Sequence, residues 1–271
     1  MNLKKETIIG AVIIVVISFV LIAVFSGKNI IKHDNGTASG ISFLKKEKEK
    51  SPEEVENEIR AKEREKMLSE VGYGYDSKES MDERLDALKA DNKSVWQFFG
   101  DTVIMGDSRA VGFKSYEYLP DSHVLAHSGD NITQIEKQKD ELKKVNPSRV
   151  YLCYGINDLT TGIWPEPDDY AKEYLKIIKN MQKEFPNVTF IVNSILPAKS
   201  MAYGICPAWE EIPEYNEALS EMCRKNGIIF VDCDDLVSNL SEYGSADGIH
   251  MEYPFYPYWG LKMVKTYYDN Y

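Results

Sequence analysis

Thr102-Val103-Ile104-Met105-Gly106-Asp107-Ser108-Arg109-Ala110 runs from a short apolar stretch through small turn residues into a segment of helical composition. That order is the pattern of a strand that ends in a turn and passes into a helix. A hydroxyl at such a turn stands at the end of a sheet. The first free backbone N–H groups of the helix aim at the same spot and could hold an oxyanion. Gly, Asp and Ser are also ordinary turn and cap residues. Ser108 therefore gains a chemical meaning only if the rest of the chain supplies partners.

Downstream, short apolar or β-branched runs at 102–105, 123–126, 149–154, 189–195 and 228–232 read as strands covered on both faces. Helical spacing fills the gaps between them. Ile132, Ile135, Leu142 and Val145 share one face, as do Tyr170, Tyr174, Ile177, Met181 and Phe185, and then Ile212, Tyr215, Leu219, Met222 and Cys223. Gly227 reads as the cap that ends the last of these. The alternation predicts a three-layer α/β/α, flavodoxin-like domain over residues 94–271, with a five-stranded, mainly parallel sheet. With the common strand order 2-1-3-4-5, the loops after the first three strands are neighbours, and ligands bind beyond the carboxyl ends of such strands. Those loops carry Ser108, then Ser128-Gly129-Asp130-Asn131, then Gly155-Ile156-Asn157-Asp158. The stretch after the fifth strand carries Ser245-Ala246-Asp247-Gly248-Ile249-His250.

Upstream the composition is different. Residues 8–25 hold no charge and are rich in Ile, Val, Leu and Phe, and Lys4 and Lys5 precede them. Eighteen residues make about 27 Å of helix, enough to cross a bilayer. The preceding lysines predict a cytoplasmic tail at 1–7, a transmembrane signal anchor at 8–27 and a C-terminal bulk outside the cytoplasm. A cleaved signal peptide followed by secretion is the alternative, although no Ala-x-Ala site follows the apolar run. Residues 28–93 read as a polar tether and then a charged helical stalk. Ser51-Pro52-Glu53-Glu54 forms a helix start there, and Glu56/Arg60 and Glu58/Lys62 are spaced for pairing along it.

Taken together, Gly106-Asp107-Ser108, Gly129, Gly155-x-Asn157-Asp158 and Asp247-x-x-His250 resemble the ordered blocks of the SGNH (GDSL-type) esterase and acyltransferase superfamily. The resemblance implies Ser108 as nucleophile, His250 as general base and acid, and Asp247 as the carboxylate that orients the imidazole. It further implies an oxyanion hole made by the Ser108 and Gly129 backbone N–H groups and the Asn157 amide. Such chemistry needs these groups, because a serine is inert until a base takes its proton and the resulting anion must meet preorganised donors. Arg109 stands where the eponymous pattern has Leu, in a position to tune specificity or to form a surface salt bridge. His123 and His127 are rival bases around the second strand without the Asp247 spacing, and His33 falls in the tether.

A net charge of −11 argues against a nucleic-acid partner. The residues imply no cofactor and no metal, since there is no CxxC and no His/Cys cluster. Cys153, Cys206, Cys223 and Cys233 permit two disulfides in an exported domain, yet Cys153 and Cys223 are placed as buried thiols would be. Arg109, Asp158, Trp164, Tyr203, Trp209 and Tyr253 are the candidates for substrate contact, on loops expected to border the crevice. The aromatic ones could stack on sugar rings, line an acyl pocket or pack the terminal helix onto the sheet. The resulting expectation is a membrane-anchored, outward-facing serine esterase that acts on acyl, and in particular acetyl, esters of envelope or extracellular carbohydrate. An O-acyltransferase using the same site and a catalytically silent tethered binding module are the alternatives. Oligomeric state is open.

Overall fold

The computed structural model describes Ser51 and residues 95–270. Apart from Ser51, the expected tail, anchor, tether and stalk lie outside the described residues. No helix among the described residues is long and apolar enough to cross a membrane.

Five parallel strands, β1 (Thr102–Gly106), β2 (Val124–Ala126), β3 (Arg149–Cys153), β4 (Thr189–Asn193) and β5 (Ile229–Val231), form one sheet in the order β2-β1-β3-β4-β5. They lie where the apolar runs predict, four of them a residue or two shorter and β1 one residue longer. β1 sits between β2 and β3, with Met105 level with both Leu125 and Leu152. The chain thus leaves β1 in one direction and returns on its other side. This reversal opens a crevice at the carboxyl end of β1.

Side chains alternate along the strands and feed two cores. Val103, Met105, Val150, Leu152 and Val192 face one way, while Ile104, Tyr151, Cys153 and Ile191 face the other. The first face is covered by the 3₁₀ segment Ile132–Gln138 and three helices, α2 (Lys139–Val145), α4 (Pro167–Glu184) and α5 (Ile212–Asn226). α4 starts with Pro at its first turn and two aspartates beside it, which suits both the missing N–H and the helix dipole. It buries Tyr170, Tyr174, Ile177 and Met181 of the stripe read from the sequence, while Phe185 falls one position past the helix end and is half-buried. α5 ends at Gly227, where φ is 64°. The second face is covered by α1 (Gly112–Ser115), α6 (Asp234–Asn239) and α7 (Tyr256–Asp269). Two hydrogen bonds fix α7 to the sheet, from Tyr151 Oη to Met263 O at 3.0 Å and from Trp259 Nε1 to Asn193 Oδ1 at 3.2 Å.

One helix departs from the sequence reading. The Asn157-Asp158 block reads as a loop, but it forms the first turn of α3 (Ile156–Thr161). Gly155 makes this sharp entry from β3, with φ at 141° and Ile195 side-chain carbons where a β-carbon would stand. Asn157 and Asp158 are therefore held on a rigid element rather than carried on a flexible one.

Candidate active site

Ser108 lies two residues beyond the end of β1. The turn is built by Asp107, whose carbonyl accepts from Ala110 N at 3.0 Å and whose Oδ1 accepts from Arg109 N at 3.0 Å. The regular helix α1 starts only at Gly112, so the turn itself presents the serine. Among the described residues, no acceptor takes the Ser108 N–H.

The Asp247–His250 loop reaches the same point from the other end of the chain. Asp247 folds back so that its Oδ1 accepts from the backbone N–H groups of Ile249 at 2.8 Å and His250 at 2.9 Å. Its other oxygen meets His250 Nδ1 at 2.6 Å, and His250 Nε2 lies 2.8 Å from Ser108 Oγ. Partial burial pushes the Asp247 carboxyl up, but the hydrogen bonds from the His250 ring and the two N–H groups outweigh it and bring it down to about 2. The carboxylate is thus charged throughout the neutral range. Lys199 braces this loop, donating from its backbone N to Gly248 O at 2.8 Å and from Nζ to Gly244 O at 3.3 Å.

Gly129 and Asn157 complete the set. Gly129 has φ of 84°, in the region that favours glycine, and its N–H has no acceptor among the described residues. Asn157 Nδ2 donates to Asp130 O at 2.8 Å, which leaves its second N–H available. Ser108, Gly129, Asn157, Asp247 and His250 thus come from four separate segments, and all are at the carboxyl ends of strands or on the loop that meets them. Geometrically the arrangement offers a hydroxyl, a base with an orienting carboxylate, and three unspent N–H groups.

The six candidates for substrate contact divide into two groups. Arg109 is buried rather than at the surface, because its Nη1 donates to Leu196 O at 2.5 Å and its Nε lies 3.5 Å from Asp107 Oδ1. Asp158 is buried and accepts from Ile132 N at 3.0 Å, and Trp209 is buried and donates to Ile156 O at 2.9 Å. All three hold the protein to itself. Trp164 and Tyr203 are half-buried, and Tyr253 is 52% exposed. Tyr253 stacks on Tyr118 with ring centres 4.9 Å apart and meets Tyr116 edge-on at 5.6 Å. No local pattern in the sequence announces that contact, since 135 residues separate Tyr118 from Tyr253. The rival histidines make other bonds, His123 Nδ1 to Thr102 O at 2.9 Å and His127 Nδ1 to Asp130 Oδ2 at 3.1 Å.

The four cysteines are unpaired thiols. Among the described residues, no group of three or more His, Cys, Asp or Glu side chains is arranged to hold a metal ion. A cavity of about 60 Å³ reaches His250 and is lined by Pro197, Lys199, Leu240 and Met251 among others. A larger one, about 740 Å³, lies between α4, α5 and the end of β5 and touches none of Ser108, Asp247 or His250.

Residues 98–253, which contain all four blocks, match the GDSL-like lipase/acylhydrolase family. The chain belongs to that family. As a GDSL-like acylhydrolase it is a carboxylic ester hydrolase, so the silent binding module is set aside. Comparison with curated proteins finds no match. Among solved structures, the domain is similar to a GDSL-like lipase from Bacteroides thetaiotaomicron, at 18% identity and a TM-score of 0.50, over 68% of this chain and 97% of that one. It is also similar to a protein described as an acylhydrolase from Bacteroides fragilis, at 19% identity and a TM-score of 0.52, over 63% of this chain and 88% of that one. At these identities the likeness is one of fold.

Proposed function

We propose that the protein is an outward-facing, membrane-anchored serine esterase that removes short acyl groups, acetyl above all, from carbohydrate of the cell envelope or its surroundings. The observation that carries the catalytic part is the continuous relay Asp247 Oδ2, His250, Ser108 Oγ, with contacts of 2.6 and 2.8 Å. In this reading His250 Nε2 takes the Ser108 proton as Oγ attacks the ester carbonyl. The tetrahedral oxyanion is met by the N–H groups of Ser108 and Gly129 and the free N–H of Asn157. Collapse expels the alcohol, protonated by His250, and leaves an acyl-serine. A water activated by the same imidazole then releases the acid. Asp247 stays ionised and stabilises the imidazolium that forms in each half-reaction.

The substrate reading rests on two further features. The side chains of His250 and Asp247 are 42% and 43% exposed, so the site is open enough for a bulky acceptor such as a polysaccharide. The uncharged run at 8–25 supports export and anchoring.

Incubation of the purified protein with acetylated envelope polysaccharide tests both halves of the proposal. Free acetate should appear, and it should keep appearing when an unacetylated saccharide is added as acceptor. Acetyl groups moved onto the acceptor without free acetate would make the protein an O-acyltransferase. Release of long acyl chains in preference to acetate would overturn the substrate class.

A further inference from the structure

The turn that carries Gly129 is closed by a hydrogen bond from Asp130 N to His127 O at 3.3 Å, and the Asp130 carboxylate accepts from Gln138 Nε2 at 3.0 Å. Gly129 is exposed and left-handed, and a β-carbon there would meet nothing within 4 Å. Two adjacent side chains of α3 grip the main chain just beyond it. Asn157 Nδ2 donates to Asp130 O at 2.8 Å, and Asp158 Oδ1 accepts from Ile132 N at 3.0 Å. The clamp thus closes on either side of Asn131. Asn131 itself only caps the segment that follows, accepting from Thr133 N at 3.0 Å.

We propose that Asp158 is a positioning residue for ester hydrolysis, fixing the Gly129 turn against α3 so that its backbone donor faces the acyl-transfer site. The inference rests on the assignment of Ser108 and Gly129 made above. Asp158 touches no substrate in this account and acts through the turn.

The environment of Asp158 argues for such a task. Its side chain is buried, and Oδ2 meets no hydrogen-bond partner. Burial pushes the carboxyl up, the Ile132 N–H pulls it down, and nearby Asp107 adds to the rise, for a value of about 7. Arg109 lowers it, and the buried hydroxyls of Tyr154, Tyr170 and Tyr174 lie in the same electrostatic neighbourhood. An ionisable group in such surroundings is costly to keep, and an apolar side chain would pack there without that cost. What only Asp158 offers is an acceptor atom at the Ile132 N–H. Asparagine would place an oxygen at the same reach. Glutamate would keep the charge but carry its oxygens one carbon too far.

Steady-state hydrolysis of an aryl acetate by the full chain, alongside Asp158→Asn, Asp158→Glu, Asp158→Ala and Ser108→Ala, tests the proposal, with circular dichroism as a check on folding. Asp158→Asn should keep kcat within about threefold. Asp158→Glu and Asp158→Ala should lose roughly ten- to a hundredfold in kcat with KM nearly unchanged, as expected when a transition-state interaction is misplaced. If Asp158→Ala does not fold, the opposed outcomes for Asn and Glu still decide. Equal kcat in all Asp158 variants, or a loss in Asn as large as in Glu, would overturn the clamp. Activity retained by Ser108→Ala would instead overturn the nucleophile assignment beneath it.

Discussion

His250 Nε2 lies 2.8 Å from Ser108 Oγ although 142 residues separate the two in the chain. The sheet order makes the meeting geometrically simple. β1 delivers Ser108 to the point where the chain direction reverses, and the segment after β5 passes over that point before α7 packs back onto the sheet. Replacing Asp247 with Asn should leave His250 near Ser108 but remove the charge that stabilises the imidazolium. A fall in kcat of roughly 10³-fold or more is expected, with KM little changed. Steady-state kinetics with an aryl acetate would measure it.

Arg109 gives a second prediction. The family pattern has Leu at this position, but here the guanidinium is buried against Asp107 and the Leu196 carbonyl. Arg109→Leu leaves the Asp107 carboxyl in the core without its cation. The expected cost is on the order of 3 kcal/mol, because an uncompensated buried charge is worse than no pair at all. Chemical denaturation would report it. A change below about 0.5 kcal/mol would show that the pair is not structural.

Gly112 is the third. A β-carbon there would fall 2.0 Å from the Tyr256 ring, whose hydroxyl donates to Arg109 O at 2.8 Å. Gly112→Ala must displace α7 or the serine turn, and it should destabilise the fold by about 1–3 kcal/mol. Activity should fall with it, since Arg109 adjoins Ser108. A stable, fully active Gly112→Ala would contradict the packing described.

The fourth concerns pH. The folded chain raises the Asp158 carboxyl from its ordinary 3.8 to about 7, so between these values the folded state holds a proton that the unfolded chain has lost. The stabilisation from this group is therefore complete below about pH 4 and is lost as pH rises through about 7. Asp158→Asn removes that dependence. Denaturation curves at pH 4, 5.5 and 7 should show the wild type losing stability relative to Asp158→Asn as pH increases, and parallel curves would contradict it.

Much of the fold is legible in the sequence. Five apolar runs and three helical stripes are long-period signals, and they place the sheet and the helices on its first face. The ordered blocks likewise name Ser108, His250 and Asp247, which meet in space, and Asn157, which holds the turn that carries Gly129. α3 is not legible because it has only six residues, and Gly155 before it and Asn157 and Asp158 in its first turn have the composition of a turn. The substrate contacts were the least legible. Residue type says that Trp209, Arg109 and Asp158 can bind a ligand, yet not whether each points outward. All three point inward to carbonyl or N–H groups far away in sequence. Burial is set by tertiary packing, which no local pattern carries.

Ser108 bears the central claim, and one measurement reaches it most directly. Hydrolysis of a small aryl acetate should be compared for the purified protein and for Ser108→Ala, with folding checked by circular dichroism. The account predicts a loss of roughly 10³-fold or more in kcat/KM for Ser108→Ala. Equal rates for the two proteins would contradict it.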